Sequence, residues 1–199
     1  MNQTNQIKEW ANPTPAGLVA LAVACFGFFA LLTGNVTSAA MPLLGFWLLG
    51  GFVIQIVVGV IDIKGGNSTG GNTFLFFSAF FMLVSGSEMI FKFLMANNKV
   101  ILDAHIDGWA WLCLTFVMYL WTPAFFKANF FLTLIVLALD VALPFLSLID
   151  LGVLSKSFSK IPAWSLLIAG IMGIYLASAM IVNTAFGKKI YPMPDPIIK

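Results

Sequence analysis

The sequence predicts an all-α protein whose six helices cross a membrane as one bundle. Of its 199 residues, 60% are hydrophobic and only 9% are charged, whereas a soluble domain is about one quarter charged and less than half apolar. The apolar residues form six continuous runs, each close to the roughly 20 residues that a membrane-spanning helix needs. These runs do not alternate apolar and polar residues, so they exclude a transmembrane β-barrel. A single transmembrane domain, 1–199, is therefore expected.

The first two runs begin at prolines. Span 1 is predicted at about 15–32, starting with Pro15, and span 2 at about 42–61, starting with Pro42. Proline is tolerated in the first turn of a helix because the amide there has no partner within the helix. Span 1 ends at a Thr-Gly-Asn turn, and span 2 ends before Asp62 and a glycine-rich stretch.

Polar segments bound the remaining runs. Span 3 is predicted at about 73–95 and span 4 at about 108–124. The loop between them holds the single histidine, His105, which we expect to be solvated, with pH sensing as the alternative role. Spans 5 and 6 are predicted at about 129–148 and 162–186, and a short proline-rich tail follows them.

The distribution of lysine predicts the orientation in the membrane. Six lysines lie on the side of the two termini, and four lie on the opposite side. The six are Lys8, Lys64, Lys127, Lys188, Lys189 and Lys199. Because cytoplasmic loops carry the excess of positive charge, both termini are expected in the cytoplasm and the chain in the cell membrane.

Several functional classes are disfavoured by the same composition. The chain has no arginine, so it cannot form the bidentate clamps that bind phosphate or carboxylate tightly, and a net charge of +2 does not favour nucleic acid as a partner. No Ser/His/Asp set, His/Cys cluster or phosphate-binding loop occurs. We therefore predict neither an enzyme nor a catalytic residue, metal site or cofactor.

Charged and amide groups within the spans are the first functional candidates, because they are costly in lipid. Asp140 lies near the middle of span 5, where it is either a proton carrier or an acid packed against another helix. Gln55 in span 2 and Asn183 in span 6 bind either a solute or a neighbouring helix. Glu88 and Lys92 are four residues apart on span 3, which predicts an ion pair near the membrane interface.

Small and aromatic residues suggest how the bundle packs. Glycines along spans 2 and 6 predict close helix contacts, either within a protomer or between protomers. They are Gly45, Gly50, Gly51, Gly59, Gly170 and Gly173. The chain also has 20 phenylalanines, a few of which are expected to form a hydrophobic constriction that rejects hydrated ions.

An ordered series of motifs resembles the succinate-acetate permease, or acetate uptake transporter, family. The run 12–18, Asn-Pro-Thr-Pro-Ala-Gly-Leu, is similar to the family signature Asn-Pro-Ala-Pro-Leu-Gly-Leu before the first span. Further matches follow in order at 51–59, with Gln55 at the centre, at 71–74, at 130–133 and in span 6 up to Gly187. The resemblance extends over the whole chain.

The resemblance implies a six-helix bundle, similar in architecture to urea and amide channels, that assembles as a hexamer with one solute path in each protomer. Its implied solutes are acetate and related monocarboxylates, in some members succinate, carried by a channel or a proton-linked permease. The implied constriction consists of Leu21 in span 1, Leu132 in span 5 and either Met82 or Leu83 in span 3, where the family has tyrosine. The signature residues at the pore mouth are Asn12, Pro13, Pro15 and Gly17.

These observations favour membrane transport of a small carboxylate. The alternatives are a urea or short-amide channel of the same architecture and a membrane scaffold or sensor that carries no solute. A path without arginine must bind its solute weakly, and weak binding permits release. Because a protonated acid crosses an apolar constriction more easily than its anion, uptake is expected to be faster at acidic pH.

Overall fold

The structure, a computed structural model, describes residues 10–198, and over this range the chain is helical without a β-strand. Six helices are long and apolar enough to cross a membrane, which confirms the predicted six-span, all-α architecture. Their bounds are Thr14–Leu32 (span 1), Ser38–Lys64 (span 2), Ser68–Asn97 (span 3), His105–Phe125 (span 4), Phe130–Asp150 (span 5) and Lys156–Phe186 (span 6). Both ends of the described chain lie on one side of the bundle, here called the terminal side; the other is the far side.

Short irregular helices modify three of the spans. Spans 2 and 6 open with 3-10 turns at Ser38–Ala40 and Lys156–Ser159, before their α-helices. Span 3 is an α-helix over Ser68–Phe76, a π-helix over Phe77–Val84, and an α-helix again over Ser85–Asn97. A π-helix has more residues per turn than an α-helix, so it changes which side chains face the bundle beyond Phe77.

Spans 3 and 4 begin earlier than the sequence predicts, and in each a side chain accepts an amide N–H at the start of the helix. Asn67 Oδ1 accepts the amide N–H of Gly70 at 3.0 Å, so span 3 starts at Ser68. Asp103 Oδ1 accepts the amide N–H of His105 at 3.1 Å, at the start of span 4. His105 is thus the first residue of a helix, not a loop residue, although its side chain is exposed as expected.

The spans surround the centre of the bundle in chain order. Span 1 packs between spans 2 and 6, span 3 packs on span 2, and span 5 packs between spans 4 and 6. Spans 2 and 3 approach most closely where both carry glycine: a Cβ on Gly45 would lie 2.6 Å from the carbonyl oxygen of Gly86. Gly59 faces Gly71 of span 3 in the same way. Gly45 and Gly59 are thus confirmed as helix-contact positions, whereas Gly50 faces open space.

Spans 3 and 4 are joined by side chains rather than by close backbones. Two edge-to-face aromatic pairs cross this seam, Phe76 with Trp121 and Phe81 with Trp111. At its far side the Lys92 ammonium binds Glu88 at 3.0 Å, which confirms the predicted ion pair, and it also binds Asp107 of span 4. Sequence spacing could not identify Asp107 as a partner because it lies on a different helix.

Spans 4 and 5 are joined through hydroxyl groups. Thr115 and Ser147 lie within hydrogen-bond distance of each other at 3.2 Å, and Thr133 Oγ1 donates to the carbonyl oxygen of Phe125 at 2.7 Å. Hydrogen bonds of this kind hold helices together in lipid, where apolar burial adds little between helices. The bundle therefore has one aromatic seam and one polar seam on the two sides of span 4.

Candidate solute path

A small enclosed cavity lies on the terminal side of the bundle centre. Its volume is about 40 Å³, enough for about three water-sized groups at roughly 10–15 Å³ each. Spans 1 to 5 all contribute to its wall. The lining residues are Leu18, Leu21, Gln55, Gly70, Thr73, Phe74, Phe77, Phe125, Leu132, Ile135, Val136 and Leu139. None of these residues carries a charge, so the cavity suits a small solute that is weakly held.

Gln55 is the only amide side chain in this lining, and it is almost fully buried, with 1% exposure. Its Nε2 donates to the carbonyl oxygen of Gly17 in span 1 at 3.2 Å. Its Oε1 is buried and has no hydrogen-bond partner within the described chain. A buried polar atom without a partner is costly to stability, and Oε1 is too fully buried to contact the contents of the cavity.

Gly17 contacts two of the lining residues, Gln55 through its carbonyl oxygen and Phe74 through the space left by its missing side chain. A Cβ at this position would lie 2.5 Å from Cε1 of Phe74, so glycine allows the Phe74 ring to pack directly against span 1. Gly17, the glycine of the predicted signature, thus has a structural role. Gly17 and Leu18 place span 1 against both Gln55 and the ring.

Two of the remaining signature residues lie at a surface hollow on the terminal side. This hollow has a volume of about 580 Å³, and Asn12 and Pro13 contribute to its lining with Asp62, Lys64 and Asn67. Asn12 Oδ1 accepts the amide N–H of Thr14 at 3.0 Å, which starts span 1. Pro15, in the first turn of span 1, faces away from the hollow and borders an outer groove beside span 6.

Gly70 separates the hollow from the cavity. It lines the cavity, while a Cβ at this position would lie 2.4 Å from Nδ2 of Asn67 and 3.0 Å from Oδ2 of Asp62. Asn67 Nδ2 donates to Asp62 Oδ2 at 3.2 Å. The two side chains therefore pair directly against the glycine and form a polar constriction at the entrance to the cavity.

An aromatic cluster closes the cavity on the far side. The rings of Phe28 and Phe81 stack with centroids 5.2 Å apart, and Phe77 and Trp111 each meet Phe81 edge to face. Phe77 belongs to both the cavity wall and this cluster. Residues from spans 1, 3 and 4 thus block the apolar passage beyond Phe77.

Leu21 and Leu132, at two of the three expected constriction positions, line the cavity. For the third position, Met82 is fully buried against Gly51 and Leu83 is 37% exposed, and neither lines the cavity. Span 3 contributes Phe74 and Phe77 instead, one before the π-helix and one at its first residue.

Asp140 lies between spans 4 and 5 and does not line the cavity. Thr122 Oγ1 lies 2.6 Å from Asp140 Oδ2 and 2.9 Å from the carbonyl oxygen of Met118. The Thr122 hydroxyl can therefore donate to the carbonyl oxygen of its own helix or across the seam to Asp140. Pro144 cannot donate to the Asp140 carbonyl, and the Tyr119 hydroxyl donates to that oxygen at 3.0 Å instead.

Asn183 holds the C-terminal tail. Its Oδ1 accepts the amide N–H groups of Ile190 and Tyr191 at 2.7 and 2.8 Å, and its Nδ2 donates to the Tyr191 carbonyl oxygen at 2.9 Å. The Tyr175 hydroxyl donates to the carbonyl oxygen of Pro192 at 2.9 Å. Asn183 is therefore occupied by tail contacts at the terminal side and lies outside the cavity lining.

His105 is paired with Asp103 outside the spans. Its Nδ1 lies 2.5 Å from Asp103 Oδ1, and this hydrogen bond holds the pKa of Asp103 below its usual value. Both side chains are exposed and lie on the far side of the bundle. The pair is therefore remote from the cavity.

Known proteins resemble this chain over nearly its whole length. The model described as the GPR1/FUN34/yaaH family matches residues 2–195. The succinate-acetate/proton symporter SatP of Escherichia coli K12 is 25% identical over 191 residues, covering 93% of this chain and 96% of that protein, and the SatP protein of Shigella flexneri matches with the same figures. The solved structure of the bacterial acetate channel SatP superposes with a TM-score of 0.77 at 21% identity, covering 93% of this chain and 99% of that one.

Proposed function

The chain belongs to the GPR1/FUN34/yaaH family, and we propose that it carries acetate and related small monocarboxylates across a membrane, with succinate as a further candidate. The observation that carries this proposal is the uncharged, apolar cavity between five spans. The names of the SatP relatives support the same class of solute. We propose transport rather than catalysis as the activity.

The proposed path crosses each protomer from the hollow to the aromatic cluster. A solute would enter beside Asn12 and Pro13, pass the polar constriction at Gly70, and occupy the cavity between Leu21 and Leu132. The Phe28–Phe81 stack would be the barrier to hydrated ions, since apolar constrictions exclude them. Passage beyond this barrier requires the stacked rings to move.

We also propose how the protein is arranged in the cell. The predicted topology assigns six of the ten lysines to the side of the termini, which supports cytoplasmic termini in the cell membrane. The family resemblance supports a homo-hexamer in which every protomer has its own path. Both a channel and a proton-linked permease agree with the cavity.

Flux measurements on purified protein test this proposal. Proteoliposomes are loaded with labelled acetate or labelled urea at pH 5 and pH 7, and protein-free vesicles measure the background from acetic acid crossing the lipid. We expect acetate flux above this background that is faster at pH 5. Urea flux without acetate flux would indicate the amide-channel alternative, and the absence of both would indicate a scaffold or sensor.

A further inference from the structure

One seam of the bundle lacks close backbone packing. Spans 1 and 2, 2 and 3, 4 and 5, 5 and 6, and 6 and 1 pack closely through their backbones, whereas spans 3 and 4 do not within the described chain. Side chains join spans 3 and 4 instead, through two aromatic pairs and the ion cluster of Glu88, Lys92 and Asp107. These two helices can therefore separate without breaking extensive backbone contact.

Each helix beside this seam is anchored to another span. A Cβ on Gly86 of span 3 would lie 2.8 Å from the carbonyl oxygen of Gly45 in span 2. On the other side of the seam, a Cβ on Gly108 of span 4 would lie 2.6 Å from the backbone nitrogen of Leu151, directly after span 5. We therefore expect span 3 to move with span 2 and span 4 to move with span 5.

The aromatic cluster beyond the cavity lies across the same seam. Phe81 of span 3 meets Trp111 of span 4 edge to face, with ring centroids 6.0 Å apart, and it also stacks on Phe28 of span 1. Separation of spans 3 and 4 moves Phe81 away from Trp111. The distance between these two spans thus determines how widely the rings can part.

The Lys92 ammonium crosses the seam next to this aromatic cluster. It binds Glu88 of its own helix at 3.0 Å and Asp107 of span 4. Asp107 precedes Trp111 by four residues, which is about one helical turn. Its side chain is only 10% exposed, so this contact is better shielded from water than a surface ion pair, which contributes little to stability.

A third carboxylate makes the contact across the seam depend on Lys92. Asp150, at the end of span 5, lies close enough for its charge to act on Lys92, Asp107 and Glu88, and Lys156 of span 6 also acts on Asp150. Within residues 10–198, Lys92 is the one cation that contacts carboxylates on both sides of the seam. Without its ammonium, the carboxylates of spans 3, 4 and 5 are left uncompensated and repel one another.

We infer that Lys92 is a positioning residue that holds spans 3 and 4 together and thereby sets how far the aromatic cluster opens and how large a solute passes it. This inference rests on the proposed function, because it assigns to Lys92 control over the size of the solute that leaves the cavity. Loss of the ammonium lets the seam part at the far side. A larger solute then gains more than a small one.

A distance across the seam tests this role without any transport. Cys113 of span 4 is exposed and takes a spin label, whereas Cys25 is fully buried, and Leu94→Cys adds a second exposed label site on span 3. Paramagnetic resonance on the purified protein in lipid nanodiscs measures the distance between the two labels. We expect Lys92→Glu to lengthen it, and Lys92→Glu combined with Asp107→Lys, which restores opposite charges across the seam, to return it to the wild-type value.

Flux measurements test the effect on solute size. Proteoliposomes at pH 7 take up labelled acetate or labelled succinate, the larger solute. We expect Lys92→Met to raise the ratio of succinate to acetate flux roughly 3- to 10-fold, equivalent to about one hydrogen bond. Lys160→Met is the matched control, because it removes an exposed lysine at the far-side start of span 6, and it should keep the wild-type ratio.

Each result has a definite reading. An unchanged distance in Lys92→Glu, or no return of the distance with Asp107→Lys, would overturn the inference, as would an unchanged flux ratio in folded Lys92→Met. A lower melting temperature at an unchanged distance would equally overturn it, because the ion cluster would then only stabilise the fold. Since the distance is measured without a solute, the absence of acetate flux through the wild-type protein would overturn the proposed function separately.

Discussion

Gln55 and Asp140 differ in their surroundings although each has one buried side-chain oxygen without a hydrogen-bond partner in the described chain. Gln55 lines the cavity and shares only one bond with span 1. Asp140 lies in the polar seam between spans 4 and 5, where Thr122 and Tyr119 bind its side chain and its carbonyl. The Gln55 side chain therefore joins spans 1 and 2 beside the cavity, whereas the Asp140 side chain joins spans 4 and 5 away from it.

The contacts of Asp140 show that a carboxylate within a span can serve helix packing without carrying protons. Pro144 removes the amide that would bind the Asp140 carbonyl, and Tyr119 of span 4 supplies the missing donor. The Asp140 side chain pairs with Thr122, also of span 4. Both contacts repair or stabilise a helix interface, and neither places Asp140 at the cavity.

Filling the cavity should have the largest effect on transport. Leu132→Trp places a larger ring in a space of about 40 Å³, so acetate flux should fall to the level of protein-free vesicles. Overpacking of this kind costs about 1–3 kcal/mol, so folding is checked by size-exclusion chromatography. Leu120→Trp is the control, since Leu120 is 79% exposed in span 4, and it should conduct normally. Flux through folded Leu132→Trp would place the path elsewhere.

Replacing Asp140 tests the seam. Asp140→Leu removes the partner of Thr122 and should lower the free energy of unfolding by roughly 1–3 kcal/mol, measured as a fall in melting temperature. Asp140→Asn is neutral and nearly isosteric, so it should retain stability and the pH dependence of acetate flux. A folded Asp140→Asn protein whose flux no longer responds to pH would instead identify Asp140 as the proton site.

Narrowing the cavity entrance should have an intermediate effect. A Cβ at Gly70 meets Asn67 Nδ2 at 2.4 Å and Asp62 Oδ2 at 3.0 Å, so Gly70→Ala must displace that pair. We expect roughly a 3- to 10-fold loss of acetate flux, equivalent to about one hydrogen bond. Gly50→Ala is the control because nothing lies within 4 Å of its added carbon. Equal flux in the two variants would contradict an entrance at Gly70.

Releasing the tail should alter stability more than transport. Asn183→Ala removes three hydrogen bonds to residues 190 and 191 at the exposed end of span 6. We expect a loss of about 1 kcal/mol and faster proteolysis of the tail, measured by limited digestion, with acetate flux within twofold of wild type. A strong loss of flux with an intact bundle would assign Asn183 to the path after all.

The smallest effect is expected at Asp103. Because its pKa is lowered in the folded state, its contribution to stability is present above the usual aspartate pKa of about 4 and is lost as the pH falls through the lowered value. Asp103→Asn should therefore lower the melting temperature slightly at pH 7 and not at strongly acidic pH. A difference from wild type that grows on acidification would contradict this sign.

Local sequence signals predicted the helices and part of the candidate site. Prolines at 15 and 42 and the Glu88–Lys92 spacing act within one or two turns of a single helix, so their consequences follow from local sequence. The glycines at 45 and 59 predicted a helix contact, but not which helix they would meet. The sequence did not predict the π-helix, nor that span 3 lines the cavity with Phe74 and Phe77 rather than with Met82 or Leu83.

The sequence by itself determined that this protein crosses a membrane six times and resembles acetate transporters, because hydropathy and motif order are properties of the chain. Only the tertiary structure decided which faces of those helices meet, that Gln55 reaches the cavity, and that Asp140 and Asn183 do not. The physical reason is that lipid is as apolar as the interior of the bundle. Hydrophobicity therefore cannot tell an inward face from an outward one, and the choice depends on helix packing and hydrogen bonds between distant residues.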